Sequence, residues 1–108
     1  MVTIDDFRQF SLALPNTIEA SHFEKTSFRV RKKIFASLSL KSAIACVKLS
    51  LVDQYVFCLI DPATIYPVPN KWGLQGWTNV NLQNITPEIL ADLLNTAYNE
   101  VSKLTGKN

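Results

Sequence analysis

The stretch SFRVRKKIFASL, residues 27–38, alternates apolar and polar residues on both sides of a basic pair. A period of two is typical of strands with one face on a core, so this stretch predicts a β-hairpin that reverses at Arg31-Lys32. Because the turn lacks Asn-Gly or Asp-Gly, we expect either a longer loop or non-glycine residues with unusual backbone angles. One face should carry Phe28, Val30, Ile34, Ala36 and Leu38, and the other Arg29, Arg31, Lys33 and Ser37.

Three segments outside the hairpin carry helix signals. Thr3 is expected to cap a first helix that Pro15 ends, and Ser50 a short helix that runs to about residue 59. The last signal is the clearest, with Thr86 as the N-cap and Pro87 at the first helical position. Along the short middle helix, we expect one side to hold Leu51, Tyr55, Cys58 and Leu59.

The remaining segments predict two strands and a loop. Residues 43–49 are mostly apolar and predict a strand that is buried on both faces, while residues 77–82 alternate and predict another strand. Residues 65–77 contain prolines, both tryptophans and two glycines, which predicts a fixed loop. We expect Gly73 and Gly76 to let the tryptophans pack close to the backbone.

Length and composition indicate one folded domain over residues 1–108. The apolar share is 47% and the charged share 19%, near the average of globular proteins. The apolar runs are far shorter than the roughly 20 residues that cross a bilayer, and Met1–Asp6 lacks the features of a secretory signal. We therefore expect a cytoplasmic protein without membrane association. In that compartment Cys46 and Cys58 should be reduced core thiols.

The charge is unevenly distributed along the chain. Residues 21–41 hold six basic residues and one acidic residue, a net +5, whereas the whole chain carries +2, so the rest carries −3. The basic segment coincides with the predicted hairpin.

The residues do not predict catalysis, a metal site or a cofactor. His22 is the only histidine and neither cysteine is near it in sequence, so a metal cluster or a His-activated nucleophile is not expected. With three glycines, the phosphate-binding patterns G-x-x-x-x-G-K-[ST] and G-x-G-x-x-G cannot be written. We expect a non-enzymatic protein.

Two clusters remain as candidates for binding. The hairpin cations could neutralise phosphates of DNA, or they could be an ordinary solvated face that protects a sheet edge. The aromatic loop could stack bases or grip a peptide, or it could be buried and seal one end of the sheet. This loop holds Tyr66, Asn70, Lys71, Trp72 and Trp77. A weaker third option is a small-ligand pocket near His22, Lys48 and Trp77.

Several short motifs, in this order, resemble the MmcQ/YjbR family. They include Lys33-Ile34-Phe35-Ala36 and, further on, the pattern Pro-x-x-x-x-Trp-Gly-x-x-Gly-Trp-Thr over residues 67–78. The similarity extends from about Thr3 to Leu104. Arg31-Lys32 stands where members of the family often have glycine, which raises the local positive charge.

The resemblance implies an α+β fold, similar in layout to small secretion chaperones. Its antiparallel sheet should have about five strands, with N-terminal, middle and C-terminal helices packed mainly on one face. It also implies DNA binding by a double-wing motif, and the alternative is a protein or peptide partner on the sheet face or at the Trp-rich loop. The expected DNA contacts are Lys25, Arg29, Arg31, Lys32, Lys33, Lys48 and Lys71. The expected ligand or partner contacts are His22, Asn70, Trp72 and Trp77.

Overall fold

Three α-helices and six β-strands make up the part of the chain that the structure describes. The computed structural model describes residues 2–105, with the backbone alone for His22, Leu104 and Thr105. The helices are α1 (Ile4–Leu12), α2 (Leu51–Ile60) and α3 (Pro87–Thr105). The strands are β1 (Thr17–His22), β2 (Lys25–Val30), β3 (Lys33–Ser39), β4 (Ile44–Lys48), β5 (Ile65–Pro67) and β6 (Trp77–Asn81), and a 3-10 turn, Gly73–Gln75, precedes β6.

All six strands join one antiparallel sheet in the order β1-β2-β3-β4-β6-β5. The α+β fold is therefore confirmed, with one strand more than expected. The extra strand is β5, which lies in the segment that we predicted to be entirely loop. It pairs with β6 at the edge of the sheet. Pro67 has no backbone N–H, and an edge strand tolerates proline because the sheet loses no hydrogen bond there.

The hairpin of β2 and β3 contains a bulge that changes its faces. Phe28 pairs with Ala36 and Arg29 pairs with Ile34, so Phe35 is an extra residue on β3. Ile34 consequently shares a face with Arg29, and Lys33 lies opposite Val30. The predicted faces of Ile34 and Lys33 are wrong because strict alternation cannot anticipate the added residue.

The three helices cover the same face of the sheet. The rings of Phe7 on α1 and Phe28 on β2 are 5.7 Å apart, and those of Tyr98 on α3 and Phe35 are 5.6 Å apart. On α2, the side chain of Gln54 reaches that of Thr78 on the same face of β6. The buried core between these layers includes Phe7, Phe28, Phe35, Leu38, Val47, Leu49, Val80, Leu90, Leu93 and Leu94.

Strand β4 is covered on one side. Ala45 and Val47 are fully buried against the helices, while Cys46 and Lys48 face the other way and are half-buried. The prediction that residues 43–49 are buried on both faces is wrong. No helix in the described range packs on the second face of this strand, so its side chains there remain partly exposed.

The predicted caps of the first and last helices are confirmed. Thr3 Oγ1 accepts a hydrogen bond from the Asp6 N–H at 3.0 Å, and Asp6 Oδ2 accepts one from the Thr3 N–H at 3.1 Å. This reciprocal arrangement is a capping box. The N–H of Ile89 donates to Thr86 Oγ1 at 3.3 Å, which caps α3. No helix among residues 2–105 is both long enough and apolar enough to cross a bilayer.

Helix α2 has the predicted ends, and the side that faces the core is not the one that groups Leu51, Tyr55 and Leu59. Gln54 and Phe57 are its buried residues. By contrast, the exposed fractions are 58% for Leu51, 68% for Tyr55 and 64% for Leu59, so the side of the helix that holds these residues is directed away from the core. Because nearly every position of α2 is apolar, hydrophobic periodicity could not show which side faces inward.

Gln54 faces inward because it satisfies polar groups beneath the helix. Its Nε2 amino group has two hydrogens, which three acceptors share: Gly73 O at 3.1 Å, Trp77 O at 3.2 Å and Thr78 Oγ1 at 3.1 Å. A buried amide with such partners is stable, and its loss would leave buried acceptors unpaired. Gln54 therefore fixes the 3-10 turn and the start of β6 to α2.

Both glycines of the aromatic loop permit close contacts between backbones. A Cβ on Gly76 would lie 1.8 Å from Leu49 O, and a Cβ on Gly73 would lie 2.0 Å from Val68 O. Gly76 also has a φ of 104°, in the left-handed region that favours glycine. The atoms that would clash belong to the backbone and not to the tryptophans, so our explanation of these glycines is wrong.

We predict that Gln54→Glu lowers the free energy of unfolding by about 3 kcal/mol at pH 7, because a carboxylate cannot donate to the three acceptors. The side chain keeps its size, so a cavity does not contribute. Urea denaturation of both proteins measures the difference. The control Gln83→Glu, at an exposed position, should change stability by less than about 0.5 kcal/mol. Equal stability of the two variants would contradict the role given to Gln54.

Candidate functional site

The β2–β3 turn is a tight loop of two basic residues. Val30 pairs with Lys33, and between them Arg31 has a φ of 52° and Lys32 a φ of 71°. Two successive residues with positive φ form a type I′ turn, which favours Asn-Gly. The sequence left open a longer loop or non-glycine residues with unusual backbone angles, and the second alternative is confirmed. Both side chains are exposed at the end of the hairpin.

The face of the sheet opposite the helices, called here the open face, gathers side chains from five strands. Residues paired across neighbouring strands point to the same side of a sheet. The open-face pairs are Ser27 with Ser37, Arg29 with Ile34, Ser37 with Cys46, Cys46 with Asn79, Lys48 with Trp77, and Tyr66 with Asn79.

Three adjoining hollows form a continuous groove that crosses the open face and reaches the end of the sheet beside α3, where Lys33 and Val101 line it. Their volumes are about 400, 420 and 460 Å³, and neighbouring hollows share residues such as Ser37, Cys46, Ile34 and Trp77. We call this the basic groove. It is lined by Lys25, Arg29, Lys32, Lys33, Ile34, Ser37, Ser39, Ser42, Ile44, Ala45, Cys46, Lys48, Tyr66, Val68, Trp72, Trp77, Asn79 and Val101. The lining contains five basic side chains and no carboxylate.

The cations of the groove and turn are not neutralised by nearby acids. Within the described residues, the ion pairs join Arg8 to Glu19, Lys41 to Glu24 and Lys103 to Glu100. None involves a residue of the basic groove or of the Arg31-Lys32 turn. Instead, Lys48 Nζ donates to Leu49 O at 3.3 Å, and Arg29 Nε donates to Ser27 Oγ at 3.5 Å.

Charge is separated between the two layers of the molecule. In the described range, the helices and their caps carry seven acidic and two basic residues, a net −5. The strands and loops carry eight basic and two acidic residues, a net +6. Lys107, outside the described range, completes the total of +2. The small net charge therefore conceals one strongly basic layer.

The aromatic loop forms one wall of the basic groove. Trp72 is 50% exposed and Trp77 is half-buried. The N–H of Trp72 donates to Asn70 Oδ1 at 2.9 Å, and Lys71 Nζ lies 5.9 Å from the centre of the Trp72 ring. Asn70 thus shapes the loop, and both tryptophan side chains keep exposed surface at the groove.

The backbone of His22 lies far from the other members of the predicted small-ligand pocket. Lys48 and Trp77 are direct partners across β4 and β6, but β1 is four strands away from β6. At ~4.8 Å per strand, this places His22 at least about 19 Å from Trp77. Among residues 2–105, no group of three or more His, Cys, Asp or Glu residues is placed to hold a metal ion.

The sequence did not reveal several residues of the basic groove. Ser37 was on the polar face of the predicted hairpin and Asn79 was in a separate predicted strand, and the strand order β3-β4-β6 brings them into one surface. Cys46 was expected in the core and instead lies half-buried on the open face. Burial raises the pKa of Cys46 to about 11, against the opposing effects of a hydrogen bond with the Thr78 backbone and the charge of Lys25.

We predict that Arg31→Asn with Lys32→Gly raises the free energy of unfolding by about 1 kcal/mol, because Asn-Gly adopts a type I′ turn with less strain. Chemical denaturation measures the change. A loss of stability would contradict this prediction and would mean that the long side chains stabilise the hairpin.

We predict that Cys46 reacts with a disulfide reagent at pH 8 about a hundredfold more slowly than an unfolded cysteine, because its raised pKa reduces the thiolate population. The variant Cys58→Ser isolates the signal of Cys46. Reaction at the unfolded rate in the native protein would contradict the burial of this thiol.

Comparison with known proteins agrees with this architecture. A model of the YjbR family matches residues 12–100. A crystal structure of the Deinococcus radiodurans protein DR2400, with the domain DUF419, is similar with a TM-score of 0.81 and 25% sequence identity. The similarity covers 95% of this chain and 80% of that one. A search of curated proteins gives no match. Because the family model spans the sheet, the basic groove and most of α3, this chain belongs to the YjbR family.

Proposed function

We propose that this chain is a non-enzymatic binding module that binds DNA with its basic groove and its Arg31-Lys32 turn. The supporting observation is the separation of charge, with +6 on the strands and loops and −5 on the helices. DNA phosphates attract such a layer and release counterions when they are neutralised. The raised pKa values of Cys46 and Cys58, both caused by burial, make these thiols poor nucleophiles.

The dimensions of the groove suit a nucleic acid. From Lys33 to Ser39, β3 extends about 20 Å, which corresponds to about six base pairs of B-form DNA. The hairpin turn is a two-stranded ribbon, narrow enough to enter a major groove. Lysine and arginine contacts to phosphates give affinity without sequence information, so we expect weak sequence preference.

A second candidate is the binding of an acidic peptide at the aromatic end of the groove. Ile34, Val68, Trp72 and Trp77 line a hollow of about 400 Å³ beside Lys25. Apolar walls with one cation would accept an aromatic or aliphatic side chain next to a carboxylate. The affinity for such a peptide would depend on the tryptophans more than on the hairpin turn.

Titration of a generic DNA duplex at increasing salt tests the first proposal. Seven cations lie in the groove, at the turn or on the adjoining loop, so the logarithm of affinity should fall with the logarithm of salt with a slope of about −4 to −6. The variant Arg31→Asn with Lys32→Gly should reduce the steepness of the slope by about 2, because two phosphate contacts are lost. This change preserves the turn, so misfolding cannot explain the loss.

The matched control is Lys41→Ala with Lys103→Ala, which removes the same charge from positions outside the groove lining. Its slope should remain within about 0.5 of that of the unchanged protein. Binding that ignores salt, or an equal loss in both double variants, would rule out the proposed interface. The second candidate would be favoured if an acidic peptide quenches the tryptophan fluorescence of the protein and the protein does not bind the DNA duplex.

A further inference from the structure

The outer half of α2 is an exposed apolar surface. Six large apolar residues, Leu51, Val52, Tyr55, Val56, Leu59 and Ile60, have exposed fractions between 52% and 73%. At about 100° per residue, they fill a continuous arc of about 180° around the helix. We call this arc the outer face of α2. It carries no charged residue, since Asp53 lies beyond its edge and is half-buried.

The outer face of α2 has the form of a helix–helix contact. Its residues fall into two neighbouring rows with a spacing of four, 51-55-59 and 52-56-60. Such rows are ridges with a groove between them, and the ridge of a second helix can fit there at a crossing angle of about −50°. The same ridge and groove occur on every copy of the chain, so the surface is complementary to itself.

The area is sufficient for an interface between two subunits. Six half-exposed apolar side chains of this size present roughly 600 Å² of surface, against about 800 Å² per partner in a standard interface. An apolar patch of this extent is at the upper limit for a monomer.

We infer that two copies of this chain form a symmetric dimer in which the outer faces of α2 pack against each other near Val56. Val56 is the central residue of the row 52-56-60, so its counterpart in the second copy lies beside it at the two-fold axis. A lipid surface is disfavoured as the occupant, because helices that lie on membranes carry Lys or Arg on the polar face and α2 has neither.

Sedimentation velocity over about 1 µM to 1 mM protein tests the inference. The unchanged chain should convert from monomer to dimer within this range. Val56→Glu and Val56→Lys should each weaken dimerisation at least about a hundredfold, because like charges would meet at the axis. An equimolar mixture of the two variants should restore the dimer, since Glu then faces Lys.

The matched control is Ile18→Glu, at an apolar position of β1 that is 68% exposed and lies at the opposite edge of the sheet. It should dimerise like the unchanged chain. Thermal melting should show that every variant is folded, because each substituted side chain is at least half exposed in the monomer. A monomer throughout the range, or a dimer that persists in both Val56 variants, overturns the inference. A mixture that stays monomeric overturns the symmetric contact at Val56.

Discussion

The pleat of the sheet, which sends alternate side chains to opposite faces, controls both the core and the basic groove. The helices pack on the face that carries Phe28, Ala36 and Val47. The residues that alternate with these along each strand consequently lie on the open face. The bulge at Phe35 reverses the alternation within β3, so that two successive residues, Phe35 and Ala36, are both buried. The same pairing that closes the core therefore aligns Arg29, Lys48 and the aromatic loop.

The layered distribution of charge explains why the total charge was a poor guide. Acidic residues in the first turns of helices favour the helix dipole, and the helices here occupy one layer. The basic residues of the strands and loops then dominate the other layer. At an ionic strength of 0.15 M, fields decay over about 8 Å, so a ligand at the open face experiences mainly the nearest layer.

The sequence predicted local structure better than the arrangement of elements. The caps at Thr3 and Thr86 and the reversal at Arg31-Lys32 depend on neighbouring residues, so they could be identified from the sequence. The inward side of α2 could not, because apolar residues surround that helix and the buried Gln54 is polar. The position of β6 between β4 and β5 could not be identified from the sequence either, because it depends on pairing between distant segments. The candidate site was consequently known as separate lists of cations and aromatic residues, without the groove that joins them.

Gln54 connects two surfaces that lie on different sides of the molecule. Its amide holds the backbone at Gly73 and Trp77, and the chain between these residues borders Trp72 in the groove wall. A rotation or shift of α2 would therefore be transmitted to the wall, and a ligand that displaces Trp72 would strain the attachment of α2. Thermodynamic linkage makes such coupling reciprocal, so each event would change the equilibrium of the other by the same free energy.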